Sequence, residues 1–214
     1  MLAHEMKNPL AAVNLLLDAK TPNGRQIQRA VDDMNLVIER ALQVGRVDDA
    51  RDQPVMAWTQ IDQLLKNTRS ALGHPDRMVF TGSDPLSLNS DEEMLSIVFG
   101  NLLENALKYS PDKSLIQVET TPALRDHVPG IEVRVRNEVG EAGLPDPQQV
   151  FQKYYRSPRA HRQVGSGLGL YLVAELLKLL GGRIELLLPA STGLHIDFVV
   201  WLPREKTPSS QPNT

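Results

Sequence analysis

The sequence predicts an α-helical hairpin, paired with a second copy into a four-helix bundle, followed by an α/β two-layer sandwich on a mixed sheet. Three observations point there. Apolar residues recur three and four apart over residues 2–45. A polar stretch at 49–55 breaks that pattern, and beyond it strand-like and helix-like segments alternate to about residue 203. With 214 residues, the chain is long enough to bury the cores of both parts.

The first helix presents Leu2, Met6, Leu10, Val13 and Leu17 on one face. Pro9 removes a backbone donor and is expected to kink it just after His4. Thr21-Pro22-Asn23-Gly24 is turn chemistry. The second helix carries Ile27, Val31, Met34, Ile38, Ala41 and Gly45, a heptad seam. A lone hairpin buries too little, so pairing with a second copy is its natural remedy. Packing of both helices on the rest of the same chain is the alternative. This divides the chain into a hairpin at 1–48, a linker at 49–55, a second domain at 56–203 and a polar, disordered tail at 204–214.

In the second domain, residues 61–72 read as a helix and 78–81 and 86–88 as short strands. Ser90-Asp91-Glu92-Glu93 is a capping box opening a helix to about Tyr109. Strands are expected near 115–120 and 130–136, a short helix near 147–154, a helix at 168–180, and strands at 183–188 and 194–202.

Net charge is −3, so no basic surface is advertised for nucleic acid or anionic lipid. With no cysteine, disulfides and thiolate metal sites are excluded, and the five histidines show no metal-ligand spacing. No apolar run approaches the roughly 20 residues of a membrane span. Only Met1-Leu2-Ala3 precede His4. We therefore expect a cytoplasmic fragment whose sensor, and any anchor in the inner membrane, lie upstream.

Three motifs carry chemistry. In His4-Glu5-Met6-Lys7-Asn8-Pro9, a neutral imidazole stands beside a carboxylate able to accept its proton or orient the ring, and Asn8 lies one helical turn on. By itself a His-Glu pair on a helix is usually solvated surface. Asn101 and Asn105, in Asn101-Leu102-Leu103-Glu104-Asn105-Ala106-Leu107-Lys108-Tyr109, share a helix face whose amide oxygens can reach a Mg²⁺ that also holds phosphate. Gly165-Ser166-Gly167-Leu168-Gly169-Leu170 is a loop entering a helix, where unobstructed N–H groups can cradle phosphate. Its Gly-x-Gly-x-Gly spacing is not the dinucleotide-binding one.

In this order, the motifs resemble the catalytic core of a sensor histidine kinase of a two-component system, over roughly residues 1–203. The resemblance implies the ATP-binding fold of the histidine-kinase and gyrase-like superfamily, with ATP and Mg²⁺. It implies that His4 is phosphorylated with Glu5 as base, and that Asn8 helps dephosphorylate the partner, the receiver domain of a response regulator. It makes Asn105 the metal ligand, turns Asn101 to the same pocket, and sets Lys108 at phosphate and Tyr109 beside adenine. Phe151-Gln152-Lys153-Tyr154-Tyr155-Arg156 resembles the family's phenylalanine box, with Arg156 available to phosphate and 157–164 as a lid. The family's Asp-x-Gly-x-Gly is altered to Asn137-Glu138-Val139-Gly140-Glu141-Ala142-Gly143, so Asn137 stands where an adenine-binding aspartate is expected. An amide accepts a hydrogen bond without the charge, which is expected to weaken adenine binding on the order of ten-fold. Glu138 is a candidate substitute, and Asn137→Asp is expected to tighten binding. The other reading is a weakly ATP-binding dimerisation and docking scaffold.

Overall fold

A computed structural model of the chain describes residues 53–82, 85–162, 166–188 and 194–205, and positions 31, 34, 38, 41–45 and 47. The first helix of the expected hairpin, its turn, and residues 49–52 and 206–214 lie outside the described residues. The described positions from 31 to 47 are helical, as predicted. Of the seam, Val31 and Ile38 are buried, while Met34, Ala41 and Gly45 are exposed in the single chain.

Strand β1 (Ala57–Gln60) pairs antiparallel with β3 (Ser87–Ser90). Between them run helix α1 (Ile61–Leu72), a 3-10 turn at Pro75–Arg77 and β2 (Met78–Gly82). Helix α2 (Glu92–Tyr109) follows, then β4 (Ile116–Arg125), β5 (Val128–Glu138), a 3-10 turn at Pro158–Arg162, α3 (Gly169–Leu179), β6 (Arg183–Leu187) and β7 (His195–Pro203). Among the described residues the main sheet has the order β2-β4-β5-β7-β6, parallel at β2–β4 and antiparallel elsewhere. The mixed sheet of the predicted sandwich is present.

One face of the sheet carries α2, flanked by α1 and α3. Leu95, Val98, Phe99, Leu102 and Leu103 of α2 are fully buried with Leu172, Val173 and Leu177 of α3, against Ile116, Val118, Val133, Val135 and Val200. Each such side chain contributes about 1.5–3 kcal/mol by leaving water. The opposite face is charged: Arg125, Glu132, Arg134, Arg136, Glu185 and Asp197 form a lattice of ion pairs.

Helix α1 matches its expected span and stops at Gly73, whose φ of 72° is left-handed. Four local expectations are corrected. The cap of α2 is Asp91, not Ser90: its carboxylate accepts from Met94 N–H at 2.9 Å and also from Val55 N–H at 2.7 Å. Ser90 instead ends β3. The expected short helix at 147–154 is a series of turns, ended at Tyr154, whose φ of 64° no helix accepts. Strands β4 and β5 run longer than predicted and meet in a turn at Asp126 and His127, both with positive φ. Pro122 is tolerated inside β4 because, among the described residues, the pairing with β2 ends opposite Thr120. The fourth concerns the tail: Arg204 donates to Pro129 O at 2.9 Å and accepts from Asn89 N–H at 2.8 Å, so order extends past 203.

Candidate functional site

Alternation along β5 sets the floor of the site. Ile131, Val133, Val135 and Asn137 point to the helices, and Glu132, Arg134, Arg136 and Glu138 point away. Asn137, 1% exposed, ends the inner row opposite Ile196 of β7. Beyond it the sheet and helices part around a cavity that opens to solvent.

Helix α2 contributes Asn105, Lys108 and Tyr109 from its last turns, and the sheet contributes Asn137, Ile196 and Phe198. The loop after β5 adds Val139, Ala142, Gly143 and Pro145, and Tyr155, Arg156 and Ser157 close a further side. Ser166, Gly167, Gly169 and Leu170 form the entry to α3. Lys108 and Arg156 are the charged side chains among these, and no carboxylate joins them, so the cavity favours an anion. The Lys108 ammonium lies 5.0 Å over the Tyr109 ring.

The backbone shapes the anion end. Leu168 begins α3 without a side-chain cap, and its own N–H points to Ser166 Oγ at 3.3 Å. The first turn of α3, at Gly169 and Leu170, therefore presents N–H groups to the cavity at the positive end of the helix dipole. Gly167 has φ of 71°, and a Cβ there would stand 2.7 Å from Tyr154 C and 2.8 Å from Tyr155 O. Only glycine fits. Gly140 is likewise required: its N–H donates to Tyr109 O at 3.0 Å, and a Cβ would come within 2.5 Å of that oxygen.

Asn137 donates from Nδ2 to Glu138 O at 2.7 Å, which leaves Oδ1 as its acceptor. Arg156 donates from Nη2 to Ala160 O at 2.8 Å, tying the 3-10 turn at Pro158–Arg162 to the cavity wall. Ser157 Oγ donates to Ala142 O at 2.9 Å.

Of the residues expected from sequence, the structure brings together Asn105, Lys108, Tyr109, Asn137, Gly143, Arg156, Gly167 and Gly169 at one cavity. Gly140 and Leu168 support it from behind without lining it. Asn101 is not on the wall: it is 8% exposed, and its Nδ2 donates to Ile97 O at 2.8 Å, one turn back. Glu138 cannot substitute for a carboxylate at Asn137, because successive strand residues face opposite sides. His4, Glu5, Asn8 and Gly165 lie outside the described residues. Sequence reasoning missed Tyr155, whose hydroxyl accepts from Asp146 N–H at 2.8 Å and holds the loop beside the cavity, and Ile196 and Phe198 of β7. Their signal was ordinary core patterning.

The residues fit Mg·ATP. A cavity with no carboxylate among its described lining residues, a glycine cradle and a helix start without a side-chain cap suit a triphosphate. Asn105 offers one amide oxygen to a cation that would draw its remaining ligands from phosphate and water. Among the described residues no three His, Asp or Glu side chains gather to hold a metal by themselves.

The family model for histidine kinase-, DNA gyrase B- and HSP90-like ATPases matches residues 90–206. The swarming motility regulation sensor protein RssA of Serratia marcescens is 28% identical over 234 residues, covering 98% of this chain and 46% of that protein. The sensor protein kinase PmrB of Pseudomonas aeruginosa is 26% identical, with 98% and 46% covered. The chain thus spans about half the length of the curated relatives it matches. Among solved structures, full-length ShkA in complex with AMPPNP aligns with a TM-score of 0.69 at 23% identity, over 94% of this chain and 44% of that one. The Acinetobacter baumannii histidine kinase AdeS aligns at 0.64 and 13%, over 94% and 98%. At these identities the structural likeness shows the fold. No helix among the described residues is long and apolar enough to cross a membrane.

Proposed function

Because this chain belongs to the histidine kinase-, DNA gyrase B- and HSP90-like ATPase family, with a catalytic ATP-binding domain of the sensor-kinase kind, we propose that it is the core of an ATP-dependent protein histidine kinase. His4 receives the γ-phosphoryl group of ATP and passes it to an aspartate of a response-regulator receiver domain. The observation that carries this is the cavity: Asn105, Lys108, Asn137 and Arg156 line it together with Gly167, Gly169 and Leu170 at the start of α3.

In this reading the adenine lies over Asn137 and the apolar side chains of Ile196 and Phe198, and its amino group donates to Asn137 Oδ1. The phosphates lie at Gly167–Leu170 with Lys108 and Arg156. Asn105 would hold the Mg²⁺, whose chemistry would be to neutralise phosphate charge. Phosphoryl transfer asks mainly for such positioning and charge stabilisation. A neutral His4 nitrogen forms the bond to γ-phosphorus, Glu5 takes the proton from the other ring nitrogen, and ADP leaves. Two copies of residues 1–48 form the bundle that presents His4, and Asn8 serves the reverse task of dephosphorylating the regulator.

A second reading, a docking scaffold for the regulator that uses ATP poorly, is favoured by one feature: the uncharged Asn137 in the adenine position. Incubation with γ-labelled ATP and Mg²⁺, wild type beside His4→Ala, separates the two. Acid-labile, base-stable label absent from the variant supports the kinase. No label, together with no Mg·ATP binding by calorimetry, would leave the scaffold.

A further inference from the structure

We propose that Arg77 is a positioning residue for the nucleotide site, holding the end of α2 so that Lys108 and Tyr109 face the cavity. This rests on reading the cavity as the Mg·ATP site. Arg77 ends the 3-10 turn before β2, more than 25 residues earlier in the chain, and does not line the cavity. It is half-buried, and its guanidinium goes to the last turn of α2 and the loop that follows. Nη2 donates to Ser110 Oγ and to Pro111 O, both at 2.8 Å, and Nε donates to Ser114 O at 3.2 Å. Nη1 points at Leu107 O, 3.5 Å away.

These acceptors are three carbonyls and a hydroxyl, with no carboxylate among them. The guanidinium therefore works as a cap: a positive charge at the negative end of the α2 dipole, aimed at the Leu107 carbonyl of the last turn and bonded to the loop that follows. Lys108 and Tyr109 sit between Leu107 and Ser110, inside the span that Arg77 grips. From the other side Gly140 N–H holds Tyr109 O at 3.0 Å. The cavity wall is clamped at both ends of two residues, and Arg77 supplies one of the clamps. Met78 then enters β2 opposite Ile116 of β4, so the arginine also locks the loop between α2 and the sheet.

The test is calorimetric titration of Mg·ATP into wild type, Arg77→Ala and Arg77→Lys, with KM and kcat of autophosphorylation on the same proteins. Arg77→Ala should weaken binding five- to ten-fold, on the order of effects from residues that touch no ligand. KM should rise by a similar factor while kcat changes little, and Arg77→Lys, which keeps the charge but not the fork, should fall between. If Arg77→Ala does not fold, Ser110→Ala, which deletes one acceptor outside the cavity, should still weaken binding two- to three-fold, on the order of one lost hydrogen bond. Unchanged affinity in variants that fold, even with a lower melting temperature, would overturn the proposal. Wild type that binds no Mg·ATP would overturn the reading of the cavity and this role with it.

Discussion

Tyr154 N–H donates to Gly167 O at 3.0 Å, and both residues are left-handed, with φ of 64° and 71°. The bond ties the strand of backbone before the 3-10 turn to the loop that opens α3. A non-glycine residue at positive φ is unusual, and Tyr154 is 71% exposed, so packing of its ring does not hold it there. The backbone bond does.

Gly167→Ala should therefore damage the site out of proportion to its size. The added Cβ meets backbone at 2.7 Å, and backbone yields only by moving the Tyr154–Tyr155 segment or the start of α3. A loss of Mg·ATP affinity of ten-fold or more is expected, on the order of 1.4 kcal/mol, read by calorimetry. Affinity equal to wild type would show that the loop relaxes freely.

Asn137 gives a prediction that changes once its partner is known. On motif alone, Asn137→Asp restores a charged acceptor for adenine. In the structure, its Nδ2 donates to Glu138 O in a buried setting, and an aspartate has no proton to give there at neutral pH. The carboxylate would face a carbonyl, so Asn137→Asp should cost about 1–3 kcal/mol of apo-protein stability in urea melts, against any gain in affinity. Asn137→Ala should weaken Mg·ATP by about two- to ten-fold.

Asn105→Ala should remove the magnesium-dependent part of nucleotide affinity. Affinities for ATP measured with Mg²⁺ and with a chelator should converge in the variant and differ in wild type. A persisting difference would place the cation elsewhere.

The outer sheet face offers a pH test. Burial raises the Asp197 pKa, but hydrogen bonds from Arg136 Nε at 2.7 Å and Nη2 at 2.8 Å, with the charge of Arg134, outweigh it and leave the carboxyl below its ordinary value. A depressed carboxylate stabilises the fold above its unfolded pKa, about 3.9, and that stability is lost as pH falls through the lower folded value. At neutral pH, Asp197→Asn should be less stable by about 1 kcal/mol. The gap should close as pH drops below 4, on the order of the free-carboxyl pKa. Mg·ATP affinity should hold, because Asp197 faces away from the cavity that its neighbours Ile196 and Phe198 line.

What could be read from the sequence had local causes. Helix α1 is legible because Ile61, Leu64 and Leu65 keep a helical period and Gly73 stops it. Asn105, Gly167 and Gly169 were legible because the spacing of a helix face and of a glycine loop is itself the chemical requirement, and Lys108 only through the family resemblance of its motif. The misplaced cap at Ser90 shows the limit: Ser90 and Asp91 both suit a helix start. The choice fell to Asp91, whose second oxygen also holds Val55 N–H, 36 residues away.

The sequence alone thus determined the mixed α/β class and the main helices and strands, since periodicity, capping and turn chemistry act within a few residues, and its motifs named eight of the residues that line the cavity. Tertiary structure alone decided which of them meet. Asn101 and Asn105 share a helix face by number, yet packing turns Asn101 back to Ile97 O and leaves Asn105 on the wall. Glu138 is lost to the site by the pleat of β5, Gly140 proves to be a spacer against Tyr109 O, and Arg77 reaches the end of α2 only because β2 and β4 run side by side. The contacts of Gly140 with Tyr109 and of Arg77 with Ser110 join residues some 30 or more apart, on the order of whole secondary-structure elements. They arise from helices packing on a sheet, which no local spacing encodes.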